Sequence, residues 1–307
     1  MSGVINRGSF PRALLAGVNQ WFGDTYKACD PIWSKIYEKN SSTKPYELDV
    51  MAEGFGLVSQ KNEGDDIQFD TRKQGFSPKY LHSSFAKGFI VTREALDDEQ
   101  YNLFTAGAKY LARSFYVTKE IEGAKPFNYA FSTTSAMTGG DGIAMCSTAH
   151  IKGPSGGTYS NRLAIDADFS EASLEDMLKL IKRATDSRGK NINLSAVRLI
   201  GHADQVFEFN RVLNSALQND TANNATNSVR DMRMIRDGFV VSPYLSLEPD
   251  AWWLQTDCPE GFKYFERTKL EYGQDESFIS MNARYRAFER YSFGYSDPRC
   301  VYGSAGA

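Results

Sequence analysis

Residues 238–257 read "GFVVSPYLSLEPDAWWLQTD", and the adjacent tryptophans Trp252 and Trp253 pose the question on which the fold turns. The segment is a β-branched run, a turn built around Pro243, Pro249 and Asp250, and a second strand. Successive side chains of a strand point to opposite faces, so the two indoles cannot share one environment. The pattern predicts one tryptophan in the core and the other at an interface. An aromatic-lined pocket or a base-stacking platform stays open on this stretch alone.

The rest of the chain bounds those options. It has 307 residues, 41% hydrophobic and 24% charged, enough for one large domain or two modest ones sharing burial. Its 35 basic and 38 acidic residues leave a formal net charge of -3, which supplies no general field for polyanions. Cys29, Cys146, Cys258 and Cys300 lie far apart with no CxxC pair, so reduced thiols in a cytoplasmic setting are expected. The run "ALLAGV" near the N-terminus is too short for a signal sequence, and no run approaches a membrane span.

Working outward from the tryptophans, each neighbouring stretch has its own period. Residues 10–30 place Leu14, Val18, Trp21 and Phe22 at helical spacing, predicting a short amphipathic arm. From "SSTKPYELDV" to "FAKGFIVTREAL" the chain is extended and glycine-punctuated, which predicts a long hairpin with little core of its own. A helix is expected from Asp97 as N-cap, with Phe104, Ala108, Leu111 and Phe115 on one stripe. Residues 124–162 read as loop with at most a short strand or helical turn. A capping box of Ser173 and Asp176 predicts a helix through Leu174, Met177, Leu178 and Ile181 that stops near Gly189. "LSAVRLIGHA" follows as a buried strand, then a helix through Val206, Phe209, Leu213 and Leu217, then an exposed loop and the strand "MRMIRDGFVVSPYL". "FISMNARYRAFER" alternates, with Ile279, Met281, Ala283, Tyr285 and Ala287 on one face and Ser280, Asn282, Arg284 and Arg286 on the other.

Chemistry-bearing residues are sparse. Cys146 and His150 are the one close Cys/His pair and, with Asp141 as an orienting group, the sharpest enzymatic possibility: an activated thiolate. Partners of nucleophilic cysteines come together through the fold rather than by close spacing, and no family signature surrounds these two. A zinc site would need more ligands than this pair supplies. "GPSGG" at 153–157 lacks the Lys-Ser or Lys-Thr of a phosphate loop. Glu63, Asp65 and Asp66, near Lys61, Arg72 and Lys73, read as a solvated tip or an inter-subunit charge patch. The expectation is therefore no catalytic, cofactor or metal site, in a mixed α+β protein with extended arms.

Taken in order, these features resemble the major capsid (major head) proteins of tailed bacteriophages. "GFVVSPYLSLEPDAWWLQT" looks like that family's strand, Ser-Pro-Tyr-Leu turn and Ala-Trp-aromatic-Leu strand, and "TAHIKGPSGGTYSN" looks like its His-Gly-Gly-Ser-Asn loop. The resemblance implies an N-terminal arm (1–46), an E-loop hairpin (47–92), a peripheral domain with a spine helix (93–172), an axial domain (173–245) and a β-rich return into the peripheral domain (246–307). It implies a structural subunit of an icosahedral shell around double-stranded DNA, pairing with copies of itself in hexamers and pentamers. Trp21, Phe22, Phe55, Phe69 and Phe76 are then expected to bury on neighbouring subunits. A near-neutral charge suits a shell wall, and Arg284 and Arg286 are the residues placed to touch DNA without sequence preference. Because the arm begins almost at Met1, a separate scaffolding protein and a portal are the implied partners; Lys61 and Lys73 are possible cross-link donors with no assignable asparagine. An encapsulin-like cage of the same fold, and more remotely a Cys146-dependent enzyme, are the alternatives.

Overall fold

A computed structural model describes residues 23, 26–64, 66–92, 94, 103–133, 139–153, 156–218, 225–277 and 280–307. The expected arm helix through Trp21 and Phe22 and the Asp97 cap lie outside these residues. The strands are β1 (Glu38–Ser41), β2 (Tyr46–Leu48), β3 (Lys79–Leu81), β4 (Ser83–Val91), β5 (His150–Ile151), β6 (Thr158–Tyr159), β7 (Ala196–His202), β8 (Phe239–Ser242), β9 (Trp252–Thr256), β10 (Phe262–Glu276), β11 (Ala283–Tyr295) and β12 (Val301–Ser304). The helices are α1 (Leu103–Asn128), α2 (Glu171–Lys182), α3 (Val206–Asn214) and the single turn α4 (Ser228–Asp231).

Two four-stranded sheets organise the molecule, in the orders β1-β10-β11-β4 and β12-β9-β7-β8. In the first, β10 and β11 form a long antiparallel hairpin flanked by β4 and by the parallel strand β1. Helix α1 lies on this sheet, with Leu111, Ala112 and Phe115 against Ala287 and Ala108 against Tyr285. The helix outruns the sequence expectation, continuing to Asn128, because Ala124 and Phe127 prolong the buried stripe. Only Pro126 in the last turn, which removes an amide donor, marks its approaching end.

The second sheet answers the tryptophan question. Trp252 joins a cluster with Leu174, Met177, Leu199 and Phe209 under α2 and α3, whereas Trp253 joins Ile36, Phe127, Met145, Cys146 and Tyr264 on the other side. Strand alternation does separate them, but neither reaches the surface: they are 0% and 1% exposed. The expectation of one interfacial tryptophan is corrected, because helices cover one face of the sheet and the α1 body covers the other. The close fit needs glycine on β12, since a Cβ at Gly303 would lie 2.5 Å from Trp253 Cδ1.

Several element boundaries differ from the sequence reading for local reasons. Helix α2 begins three residues early: Ser170 is the N-cap, its hydroxyl accepting from Ser173 N–H while Ser173 Oγ accepts from Ser170 N–H. It stops at Lys182, before Gly189. Helix α3 ends at Asn214, leaving Leu217 outside it and exposed. Only Phe239–Ser242 of the expected "MRMIRDGFVVSPYL" strand pairs, alongside β7, and the start of that stretch turns through Arg233 at φ 49. Alternation in β11 starts at Ala283; Met281 is an exposed turn residue at φ 53, and Ile279 is outside the described residues. Strand β4, read as part of the hairpin, instead pairs with β11 in the body. Among the described residues no helix is long and apolar enough to cross a membrane.

Candidate assembly surface

The hairpin predicted before β4 leaves the body between β2 and β3, which pair Tyr46 with Leu81 and Leu48 with Lys79. Cross-strand bonds from Asp49, Met51 and Glu53 amides to Pro78, Phe76 and Lys73 carbonyls extend it outward. Its base is fixed: buried Tyr80 packs edge-on to Phe265 and shares a 2.5 Å hydrogen bond with Ser296. His82 bridges the hydroxyls of Ser292 and Ser42 at 3.0 and 3.1 Å. Asp49 receives Lys263 at 2.6 Å.

Beyond that base the apolar residues face water. Phe55, Leu57, Val58, Ile67 and Phe69 are exposed, Val58 at 99% and Phe69 at 94%. Full burial of Leu57, Val58, Ile67 and Phe69 is worth about 1.5–3 kcal/mol each before ordering costs. An extended ribbon cannot collect this from its own fold, so its sequence makes sense against a second surface. Phe55 and Phe69 thus lie where the sequence suggested. Phe76 differs, being half-buried beside Gly140 of its own chain.

The far part of the hairpin is tied to the turn after α2. Arg188 Nη1 donates to both Asp70 carboxylate oxygens at 3.0 and 2.9 Å, and its Nη2 donates to Thr71 O at 2.6 Å. Lys190 donates to the Phe55 carbonyl. Asp70 also accepts from the amides of Gly56 and Thr71. Those two amide bonds foremost, and then Arg188, hold its carboxyl below the ordinary range.

The remaining sequence candidates are placed differently from one another. His150 and Asp141 do meet: His150 Nδ1 lies 2.6 Å from Asp141 Oδ2, both side chains buried, with Tyr159 stacked on the imidazole. Cys146 does not join them by a hydrogen bond among the described residues. Its sulfur sits in the core next to Gly303, and burial pushes the thiol well above its ordinary pKa, the opposite of an activated nucleophile. Cys146, Cys258 and Cys300 are free thiols. "GPSGG" closes the β5–β6 hairpin, with the Gly156 amide bonded to Gly153 O and the Lys152 amide to Gly157 O. Lys61, Glu63, Asp66 and Lys73 are exposed on the hairpin, and Asp65 lies outside the described residues. Arg284 and Arg286 are exposed on one face of β11, as the alternation required. Among the described residues no three His, Cys, Asp or Glu side chains converge as metal ligands.

Two features escaped the sequence reading. Asn161, the last residue of the quoted glycine-rich loop, is fully buried. Its Nδ2 donates to the carbonyls of Met145, Pro298 and Val301 at 2.7, 2.9 and 3.1 Å, and its Oδ1 accepts from Ser147 N–H at 2.8 Å. The second is Lys119, inside the buried stripe of α1, 2.5 Å from Glu289 of β11 and above the ring of Tyr291 at 5.0 Å. Burial opposes its charge, but Tyr264, Glu289 and Tyr26 outweigh burial and raise the ammonium pKa. A charged residue at a core-facing helical position is the signal that was available for it.

A body closed around two cores, with an apolar ribbon projecting from one side, is the form of a protein that completes itself on its neighbours. Residues 78–304 match the model of a family described as phage capsid protein. The chain belongs to that family. This capsid protein is thus a structural component of virions that works by self-association. No curated protein matches its sequence significantly. Among solved structures it is similar to the capsid of a native GTA particle, at 10% identity and TM-score 0.57 over 91% of this chain and 92% of that one. It is similar to the procapsid protein of bacteriophage JBD30, at 13% identity and TM-score 0.53 over 98% and 76%. It is also similar to a virus-like particle from Pyrococcus furiosus, at 9% identity and TM-score 0.53 over 94% and 98%. At such identities the likeness carries the fold, a mixed α+β capsid fold, and nothing finer.

Proposed function

We propose that this capsid protein is the major subunit of an icosahedral phage head, enclosing double-stranded DNA and arranged in hexamers and pentamers. The observation that carries this is the exposed apolar hairpin on a rigid base: residues 46–81 act as the E-loop, laid across a neighbouring subunit. Residues 173–245 act as the axial domain. The flanking segments 93–172 and 246–307, with β1 in their sheet, act as the peripheral body, with α1 as the spine, and the residues before β1 act as an arm. A separate scaffolding protein and a portal are the partners this reading calls for. DNA contact is non-specific, with Arg284 and Arg286 on the wet face of β11 the candidates.

Replacing residues 54–72 by a short Gly/Ser turn tests it. The variant is expected to fold, since the base contacts of Tyr80, His82 and Asp49 remain, yet to yield no closed particles by electron microscopy. Closed shells from this variant sink the proposal. The nucleic acid or protein content of wild-type particles separates a DNA head from a cargo cage of the same fold.

A further inference from the structure

Helix α3 of the axial unit is flanked by two recesses that share no lining residue and carry opposite charge. One, about 500 Å³, is lined by Glu171, Glu175 and Glu208, with Arg211 as its one basic residue. The other, about 480 Å³, is lined by Arg230, Arg233 and Arg236 with no carboxylate, over a floor that includes Leu213, Val229 and Phe239. The helix supplies Glu208, Arg211 and Val212 to the first and Leu213 and Asn214 to the second. Val212 and Leu213 both point into the core, so the recesses open on either side of the buried stripe.

The groups in both recesses are short of partners. Arg230 and Arg233 make no ion pair among the described residues, and Met232 between them is 68% exposed. Of the acids beside them, Asp237 is already held by Arg198 at 3.1 Å and by Arg236 at 3.4 Å, and Asp231 is exposed. Opposite, a Glu171 carboxylate oxygen is buried without a hydrogen-bond donor among the described residues. Glu175 has only Lys179 at 3.8 Å, and that lysine is closer to Asp176, at 3.0 Å. Two guanidinium groups, Arg230 and Arg233, without an ion pair among the described residues and an under-donated carboxylate cluster on the same unit are complementary to each other, and α3 stands between them.

We propose that the basic recess of one subunit receives the acidic recess of a second copy of this chain, a head-to-tail contact that closes axial units into a ring. Such a contact pairs different patches on the two copies, so it repeats around an axis instead of ending at a dimer. Met232 supplies an apolar anchor, and the opposed charges set the register. This inference rests on the shell reading and names the residues that would set its capsomers.

The test uses the full-length chain. Arg230→Glu with Arg233→Glu (basic face reversed) and Glu171→Lys with Glu175→Lys (acidic face reversed) are made separately and combined, with melting and circular dichroism confirming the fold. Each reversal alone is expected to raise the critical concentration for assembly by about tenfold or more, and the quadruple variant to recover. An equimolar mixture of the two single-face variants is expected to form only even-membered rings by native mass spectrometry, since alternation restores both contacts. Folded single-face variants that assemble like wild type overturn the proposal. So does a loss confined to DNA binding or to scaffold-dependent assembly, which assigns the basic recess to those partners. If wild-type protein does not assemble even when its scaffolding protein is supplied, the shell reading itself fails, a result distinguishable from the others.

Discussion

Trp252 and Trp253 are equally buried but unequally satisfied, and the difference can be measured. Trp252 Nε1–H donates to Ala167 O at 3.0 Å, whereas Trp253 Nε1 is buried with no acceptor among the described residues. Trp→Phe at either site removes a similar volume. At 252 it also removes a hydrogen bond with a net worth of about 0.5–1.5 kcal/mol. At 253 it removes an unmet donor whose burial costs about 1–3 kcal/mol, and phenylalanine retains the faces toward Phe127 and Phe131. Trp252→Phe is therefore expected to destabilise by about 1.5–4.5 kcal/mol more than Trp253→Phe. Trp→Ala at either position should cost about 3–5 kcal/mol or more, as both sites are core. The assay is urea unfolding of dissociated subunits followed by far-ultraviolet circular dichroism, with slopes compared to show that the unfolded states match. A Trp253→Phe variant as unstable as Trp252→Phe would refute the reasoning. Normal stability with failed assembly in Trp253→Ala would restore the interfacial role expected from sequence.

Three further outcomes follow from the described contacts. Asn161→Ala removes the side-chain donor from three carbonyls and the acceptor of one amide and is expected to lower subunit stability by about 3 kcal/mol or more, seen as a lower urea midpoint, while Asn161→Asp recovers little because it loses the donors. The Asp70 carboxyl is held below its ordinary pKa, so the hairpin tie is fully present above the ordinary carboxylate pKa of about 4 and is lost as pH falls through the depressed value. Hydrogen exchange at residues 55–72 should then rise, normalised for intrinsic rate, on acidification, and Arg188→Gln should raise it already at neutral pH; unchanged protection in both cases contradicts the tie. In the folded subunit, Cys146 and Cys300 should resist a thiol reagent and Cys258, whose thiol burial pushes up to about 12, should react slowly, all becoming available in urea; fast labelling of native Cys146 would reopen a chemical role for it.

What could be read from sequence was local. The alternation of β11, the apolar stripes of α1 and α2 and the glycine-broken hairpin are short-range patterns that need only neighbours a few residues away. What could not be read depends on distant partners. Nothing near Trp253 announces that Phe127 and Tyr264 cover it. Strand β4 reads like more hairpin because its pairing with β11 joins residues far apart in the chain. Sequence does not separate Ser173 from Ser170 as the N-cap, because both carry a capping hydroxyl and only the backbone decides which turn comes first. Of the assembly surface, the exposed Phe55 and Phe69 were legible as apolar residues without a core. The paired recesses beside α3 were not, because their charges come from three separate segments that only the fold gathers. His150 and Asp141 meet as their spacing allowed, but Cys146 shares no bond with them because its backbone turns the sulfur inward, toward Gly303.

Asn161 joins the carbonyls of Met145, Pro298 and Val301, its own carbonyl accepts from Gly303 N–H, and Ser304 Oγ donates to Ala167 O at 2.8 Å. Residues 298–304 thus tie down both clusters that flank the second sheet. Because β12 pairs with β9 at the edge of its sheet, these ties can form only after all the other strands have been synthesised. A subunit truncated before residue 298 is therefore expected to expose both clusters and to be cleaved faster by proteases than the full-length chain.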